Sequence, residues 1–234
     1  MKSATGHSGL MDADTENNIR LEQVESFGRL MAGFSHDMKN HLGTIREANG
    51  LMSDLIAMAG SAADEPFVQR LSKAIASIEN RVIVAADMLH HLSSLAHRSD
   101  TPSATFQVND LVTEECAFLE RFSRLKQVTC KLDLGEGLPV IYNEPSLLQH
   151  VFYRMHGLCL ELLSAGDSLV VVTREYEKAI QIVFRLSCPQ EGIADLLTDT
   201  LQAAIQKLGG RLETEYTTQG ITDVVLTIPP LTAV

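Results

Sequence analysis

A histidine, a carboxylic acid and an amide occur close together in the stretch Phe34-Ser-His-Asp-Met-Lys-Asn-His-Leu42. Asp37 follows His36 directly and can accept a hydrogen bond from Nδ1–H of the imidazole ring, which leaves Nε2 unprotonated and nucleophilic. A neutral imidazole can attack phosphorus without further activation. Asn40 lies one helical turn further on, where its amide could position a water molecule or a phosphoryl oxygen. These residue types at this spacing predict that His36 is a phosphoryl acceptor.

The residues around His36 follow the heptad pattern of a long helix that packs against other helices. From Leu21 to Ala59 apolar residues recur in steps of three and four, and His41 is the one polar residue of this stripe. In this register His36 falls at position f, which faces water, whereas His41 falls at position d on the packed side. We expect His41 to specify register or to pair across a helical bundle. A solvated surface histidine without a role is the alternative for His36.

Two glycines continue the helix surface on which His36 is predicted. Gly43 and Gly50 occupy the next f positions, and each costs an exposed helix roughly 1 kcal/mol relative to alanine. They would leave a strip of bare backbone that another protein could approach closely, whereas the alternative is that they only loosen the helix. Together with Lys39 and Arg46 they are the candidate docking residues for a protein partner.

A second long helix is predicted after a short turn. Gly60 is placed to end the first helix, Asp64 to cap the second, and Pro66 to lie in its first turn. Apolar residues then repeat at helical spacing from Val68 to Ala96. Because one hairpin leaves its wide apolar stripe half covered, we expect two copies to pair into a dimeric four-helix bundle. A monomer whose C-terminal domain covers the stripe is the alternative.

The pattern divides the chain into four parts. Residues 1–18 are small and polar and predict a mobile leader, 19–98 form the helical hairpin, 99–105 form a linker, and 106–234 form an α/β domain. In the last part helices alternate with strands and hairpins, which predicts one sheet covered on one face by three helices. The predicted helices are 109–126, capped by Asn109, 145–162 and 193–208, and the predicted strands are 127–134, 139–142, 169–173, 179–186, 211–216 and 222–228.

Composition restricts the class of partner and the compartment. The 234 residues carry a formal net charge of -11, which argues against a nucleic-acid partner because phosphate backbones demand a basic surface. No apolar stretch approaches the roughly 18 residues of a membrane helix, and no signal peptide is evident at the N-terminus. The four cysteines form no metal-binding spacing and are interpreted as small core residues, which fits a reducing cytoplasm. We therefore expect a cytoplasmic protein without a membrane partner.

The segment from Gly28 to Leu42 resembles the H-box of two-component histidine kinases, whose pattern is histidine, an acid, two variable residues, then asparagine or threonine. In that family a long helical hairpin after the H-box is the dimerisation and phosphotransfer domain. The resemblance implies that His36 is phosphorylated, that Asp37 is the general base and orienting acid, and that Asn40 helps to position water when a response regulator is dephosphorylated.

The C-terminal part is similar to the ATP-binding domain of the same family. The likeness lies in the segment from Leu201 to Glu215, which leads to the strand ending at Pro229, and in total the resemblance covers about residues 20 to 230. The implied fold is a dimeric four-helix bundle formed by a helical hairpin, followed by a Bergerat-like α/β sandwich domain.

The residues that bind nucleotide in the family are missing. The positions of its two asparagines fall near Arg154 and Leu158, and neither can bind a hard cation, which requires oxygen ligands. Of the expected Asp-x-Gly-x-Gly only Gly192 remains, and few residues separate Ile193 from the last helix, too few for a phosphate-covering lid. Without amides and Mg²⁺ to stabilise the transferring phosphoryl group, ATP-dependent phosphorylation has no electrostatic support.

The chain therefore resembles the histidine phosphotransferases of phosphorelays that are built from degenerate kinases. The partners implied are response-regulator receiver domains and a second copy of the chain. No cofactor is expected on this chain, and Mg²⁺ is expected on the receiver. The alternatives are a divergent sensor histidine kinase that still uses ATP, and a pseudokinase scaffold or phosphatase that binds response regulators.

Overall fold

The computed structural model describes residues 12–58, 65–100, 102–188, 192–216 and 220–230. The chain divides into two compact units. One consists of Met1–Gly28 together with Thr101–Val234, and the other is Arg29–Asp100. Two long helices precede an α/β domain, which confirms the predicted order of fold elements. Within the described ranges no helix has an apolar segment long enough to cross a membrane.

The first helix, α1, spans Ala13–Met58 and starts earlier than the sequence predicted. The Asp12 carboxylate accepts hydrogen bonds from the backbone N–H and the hydroxyl of Thr15, each at 2.8 Å. This side-chain cap satisfies backbone donors at the helix start. The prediction of a mobile leader over 1–18 is therefore wrong for residues 13–18.

The second helix, α2, spans Glu65–Asp100, and Pro66 lies in its first turn as predicted. The predicted terminator Gly60 and cap Asp64 lie outside the described residues. Within the unit Arg29–Asp100, the buried apolar residues are Leu30, Leu55, Ala74 and Leu95, but much of the apolar surface stays open. The exposed apolar residues of this unit are Leu42, Leu51, Ile56, Met58, Val68, Ile75, Val82, Ile83 and Leu89.

The α/β domain is built on a five-stranded mixed sheet. Its elements in chain order are β1 (Ala104–Phe106), α3 (Val108–Leu125), β2 (Thr129–Leu134), β3 (Ile141–Asn143), α4 (Pro145–Leu162), β4 (Ser168–Tyr176), β5 (Ala179–Leu186), a 3₁₀ turn (Ile193–Leu196), α5 (Asp199–Lys207), β6 (Arg211–Tyr216) and β7 (Thr222–Ile228). The strand order is β2-β4-β5-β7-β6. β2 and β4 are parallel, and the other neighbours are antiparallel.

The three helices of this domain cover the sheet, as the sequence predicted. α3 packs on β2 and α4, α4 packs on β5 and α5, and α5 packs on β6. The core between the layers contains Phe152 of α4 and Phe184 of β5, both fully buried, with ring centroids 5.2 Å apart. Along each strand, the side chains that alternate with the core residues point to the other face of the sheet. Polar and charged residues pair there, for example Arg185 and Asp223, whose side chains are joined by two hydrogen bonds.

Three boundaries differ from the predictions. α3 begins at Val108, so Asn109 does not cap it; the Asn109 side chain instead donates to the Gly135 carbonyl at 2.8 Å and accepts from the Thr173 hydroxyl at 2.7 Å. The predicted linker 99–105 overlaps the end of α2 and strand β1, which pairs with β3. The predicted helix 193–208 is broken, because Thr198 caps a new helix by accepting from the Leu201 N–H.

The first turns of α1 belong to the α/β unit and not to the hairpin. Ile19 is almost completely buried there, at 1% exposure. The Lys207 ammonium lies 2.9 Å from Glu16 and 3.5 Å from Glu144, and its hydrogen bond holds the pKa of Glu16 below its usual range. The two compact units divide after Gly28, whereas the sequence predicted that the hairpin begins at residue 19.

Candidate functional site

His36 lies on α1 in the unit Arg29–Asp100 with its side chain 54% exposed, whereas the neighbouring Asp37 side chain is 24% exposed. The helix brings the three predicted catalytic residues together. Nδ1 of His36 is 3.1 Å from Oδ1 of Asp37 and 3.1 Å from Nδ2 of Asn40. The i,i+4 spacing of His36 and Asn40 places their side chains on the same helix face.

These two neighbours compete for one ring nitrogen. Nδ1 can donate its hydrogen to the Asp37 carboxylate, or it can accept a hydrogen from the Asn40 amide, but it cannot do both. A carboxylate is the stronger partner because the hydrogen bond is charge-assisted. A half-turn of the Asn40 amide would let its oxygen accept from the same N–H. The favoured arrangement therefore carries the proton on Nδ1.

The proton on Nδ1 leaves Nε2 of His36 with its lone pair. Within the described part of the chain Nε2 makes no hydrogen bond. An exposed imidazole with this tautomer is a nucleophile that a partner protein can reach. The site can therefore accept an electrophilic group from another molecule.

The candidate docking residues lie along the same helix. Lys39, Arg46 and Gly50 are exposed and Gly43 is half-buried. A Cβ added at Gly43 or Gly50 would meet no atom of this chain within 4 Å. The chain itself therefore does not require glycine at these two positions.

His41 has different surroundings from His36, as the heptad register predicted. It is half-buried, and its Nδ1 lies 3.5 Å from Nη1 of Arg81 on α2. This contact joins the two helices of the hairpin. His41 is therefore not part of the cluster around His36.

The helix predicted to have lost its nucleotide-binding residues is α4, and its polar residues contact α1. The Arg154 guanidinium forms an ion pair and hydrogen bond with Glu22. Ser26 donates to the Glu22 carbonyl at 2.8 Å and lies 3.1 Å from Nδ1 of His150. Leu158 is half-buried on the same helix. The two positions predicted to stand in place of nucleotide-binding asparagines thus present a guanidinium engaged by a carboxylate, and an apolar side chain.

His150 is neutral at physiological pH. Burial, followed by the positive charge of Arg154, lowers its pKa to about 4. Its Nε2 is 3.8 Å from the Glu22 carboxylate, which would make an ion pair only with a protonated ring. The contact between α1 and α4 therefore contains one ion pair, from Arg154, and a neutral hydrogen-bonded histidine.

Sequence reasoning did not find the contacts between α1 and α4. Glu22 and Arg154 are separated by 132 positions in the chain, as Glu16 and Lys207 are by 191. Heptad spacing reports which residues face away from the apolar stripe, but it carries no information about distant partners of opposite charge. The one apolar residue between Thr15 and Arg20 is Ile19, which lies before the predicted stripe and is buried, so its position in the sequence was a local sign that this part of α1 packs elsewhere.

No protein-family model and no curated protein matches the chain. Among solved structures, the Acinetobacter baumannii histidine kinase AdeS is 14% identical with a TM-score of 0.47, and the match covers 83% of this chain and 97% of that chain. The histidine kinase ThkA in complex with the response regulator protein TrrA is 13% identical with a TM-score of 0.47, over 95% of this chain and 68% of that chain. The cytoplasmic segment of the histidine kinase QseC is 14% identical with a TM-score of 0.45, over 64% of this chain and 95% of that chain. These three solved structures are all of histidine kinases.

Proposed function

We propose that the chain is a histidine phosphotransferase of a two-component phosphorelay. His36 would take a phosphoryl group from the aspartyl phosphate of one response-regulator receiver domain and pass it to the aspartate of another, without ATP. The observation that carries the proposal is the exposed His36 whose Nδ1 lies 3.1 Å from the Asp37 carboxylate, leaving Nε2 available. The resemblance of the surrounding segment to an H-box supports the same chemistry.

The imidazole ring neither gains nor loses a proton during the transfer. The Nε2 lone pair attacks phosphorus in line, the N–P bond forms, and the P–O bond to the receiver aspartate breaks with release of its carboxylate. The imidazole becomes positively charged, and the Asp37 carboxylate stabilises that charge through Nδ1–H. In the second half the aspartate of another receiver attacks phosphorus and the N–P bond breaks. Mg²⁺ on the receiver would stabilise the phosphoryl oxygens in both steps.

The amide of Asn40 suits a role in phosphate hydrolysis, because it lies 3.1 Å from His36 Nδ1 on the same face. An amide there can donate to a water molecule or to a phosphoryl oxygen. This position favours receiver phosphatase activity as a second candidate function. If hydrolysis dominates, Asn40→Ala will slow phosphate release from a phosphorylated receiver more than His36→Gln does.

The proposal that ATP is not used rests on the residues of α4. Mg²⁺ requires oxygen ligands, whereas Arg154 and Leu158 offer a guanidinium and a methyl-terminated side chain. The Arg154 guanidinium is moreover engaged by Glu22. Calorimetry with Mg-ATP should show no binding in the micromolar range. Binding there would instead favour a divergent histidine kinase.

A homodimer through the helical hairpin is part of the proposal. Val82, Ile83 and Leu89 of α2 are 50%, 60% and 54% exposed, and exposed apolar clusters of this kind mark interaction surfaces. A second copy of the hairpin would cover them in a four-helix bundle. Light scattering should therefore report a dimer for the chain and a monomer for the variant Ile83→Glu.

The direct test is transfer from phosphorylated receiver domains. Incubation with a panel of receivers carrying labelled phosphate should transfer label to the chain in an acid-labile, alkali-stable form, as expected for phosphohistidine, and His36→Gln should abolish it. His41→Gln is the matched control on the same helix and should still be labelled. The proposal is wrong if no receiver labels the chain, or if His36→Gln is labelled equally.

A further inference from the structure

The first turns of α1 pack on the α/β domain through a mainly polar face. Among residues 13–28, the buried side chains are those of Ile19 and Ser26, at 1% and 6% exposure. They lie seven positions apart, which is two helical turns, so they share one face of the helix. The apolar side chains of Leu21 and Val24, in contrast, are 60% and 70% exposed. Because an amphipathic helix usually buries its apolar face, this segment must be held by other contacts.

Two ion pairs hold the segment on helices α4 and α5. The Lys207 ammonium of α5 lies 2.9 Å and 3.2 Å from the two carboxylate oxygens of Glu16, and it is also 3.5 Å from Glu144. Six positions further along α1, the Glu22 carboxylate pairs with the Arg154 guanidinium of α4. Each of these two carboxylates of α1 therefore meets a cation that belongs to the α/β domain.

A buried hydrogen bond lies beside the second ion pair. The Ser26 hydroxyl donates to the Glu22 carbonyl at 2.8 Å, so its oxygen is left to accept from Nδ1–H of His150, 3.1 Å away. His150 is 3% exposed, which shields this hydrogen bond from water. His150, Arg154 and Lys207 together form what we call the α4–α5 surface. It offers two cations and one neutral donor to the helix that lies on it.

Contacts of this kind can open without unfolding the domain. The four paired side chains are 23% to 30% exposed, so solvent screens their ion pairs: Glu16, Glu22, Arg154 and Lys207. Ile19 is the one buried apolar side chain among residues 13–28. Segments with few buried apolar contacts open at a lower free energy than the whole domain. The segment is therefore a resident ligand of the α4–α5 surface that another helix can replace.

We propose that the α4–α5 surface is a binding site for an acidic amphipathic helix of a partner protein, and that residues 13–28 occupy it when the partner is absent. The charges of the surface select such a helix, because a carboxylate can replace Glu16 at Lys207 and another can replace Glu22 at Arg154. The partner helix carries two acidic residues six positions apart with a large aliphatic residue midway between them, as Ile19 is in α1.

The resident segment controls how tightly a partner helix binds. Residues 13–28 belong to the same chain as the surface, so their effective concentration there is high and a free helix must displace them. The apparent affinity for the free helix falls by the fraction of molecules in which the surface is open. A substitution that weakens the resident segment should therefore strengthen binding of a free helix, whereas a substitution on the surface should weaken it. A purely structural contact would show neither effect.

The first experiment measures binding of a fluorescein-labelled synthetic peptide of residues 12–28 to the full chain by fluorescence anisotropy. In the chain variant Glu22→Arg, the resident segment meets Arg154 with a like charge, so the Kd of the peptide should be roughly tenfold lower than for the unmodified chain. Ile19→Ala in the chain should lower the Kd as well, without a change of charge. Glu47→Arg, an exposed position of α1 outside the contact, is the matched control and should leave the Kd unchanged. Equal Kd values for all four chains would overturn the proposal.

A charge exchange shows whether the peptide binds at the α4–α5 surface. The chain variant Arg154→Glu should lose binding of the unmodified peptide, and a peptide that carries Glu22→Arg should bind this variant instead. Hydrogen exchange of the α1 amides in the unmodified chain should become faster when the peptide is added, because the resident segment is displaced. The proposal is wrong if Arg154→Glu binds the unmodified peptide as tightly as the unmodified chain does, or if peptide binding leaves this exchange unchanged. None of these readouts depends on His36.

Discussion

Oδ1 of Asp37 lies 3.1 Å from Nδ1 of His36, its immediate neighbour on α1. Adjacent residues on a helix project about 100° apart, so this contact requires both side chains to lean toward each other. The arrangement fixes which ring nitrogen carries the proton. It also places a negative charge beside the ring that would become positive in the proposed phosphoryl transfer.

Replacement of Asp37 tests this role. Asp37→Asn keeps the shape of the side chain but removes its charge, so that the imidazolium formed during transfer is less stabilised. We expect the single-turnover rate of phosphoryl transfer from a receiver to fall by about a hundredfold or more. Asp54→Asn, at another exposed acidic position of α1, is the matched control and should transfer at the normal rate. Equal rates for both variants would exclude an orienting role for Asp37.

Replacement of the glycines distinguishes docking from helix stability. In Gly43→Ala the new methyl group meets nothing within 4 Å in this chain, so we expect the free energy of unfolding to rise by up to about 1 kcal/mol. A receiver that approaches the bare backbone would collide with the same methyl group, and its affinity, measured by calorimetry, should fall.

Gly28→Ala is the control for that experiment. Gly28 is also exposed on α1 and also has open space around an added Cβ, but it lies outside the candidate docking residues. It should raise stability without weakening the receiver. If Gly43→Ala binds receivers as tightly as Gly28→Ala does, the glycines only loosen the helix.

The buried His150 makes stability depend on pH. Its pKa of about 4 in the folded chain lies below the ordinary value of 6.5, so the unfolded chain binds more protons between these values. The contribution of neutral His150 to the free energy of unfolding is fully present above about pH 6.5. It should be lost at up to about 1.4 kcal/mol per pH unit as the pH falls toward 4. The free energy of unfolding, measured by urea titration at several pH values, should depend less on pH for His150→Gln than for the unmodified chain. Parallel profiles for the two proteins would contradict this assignment.

The ion pair between Glu22 and Arg154 should stabilise the packing of α1 on the α/β domain. The two side chains are 23% and 30% exposed, so solvent screens the pair only in part. We expect Glu22→Gln to lower the free energy of unfolding by about 1 kcal/mol in urea titrations at low salt, with a smaller difference at high salt. Glu47→Gln, an exposed position of the same helix, should change it by much less.

Local sequence signals predicted most helices and strands because they depend on neighbouring residues. The helix α4 starts at Pro145, whose fixed φ suits a first turn, and the hairpin of β4 and β5 follows from alternating apolar residues. The contact between His36 and Asn40 was predictable for the same reason, since the two residues are one helical turn apart.

The features that sequence reasoning missed depend on distant residues. β1 has only three residues, and its extended form is stabilised by pairing Phe106 with Ile141 of β3. The ion pair between Glu22 and Arg154 arises only when α4 packs against the first turns of α1. Neither periodicity nor capping chemistry carries information about such pairings.

The position of β7 between β5 and β6 has a consequence for the order in which the domain can fold during synthesis. β7 is the last of the described strands in the chain, yet it pairs with β5 over Ile180–Leu186 on one side and with β6 on the other. Until the ribosome has released residues 222–228, β6 has no partner and the edge of β5 is unprotected. The nascent domain therefore exposes an aggregation-prone strand edge until its final strand emerges, a period in which chaperones would act.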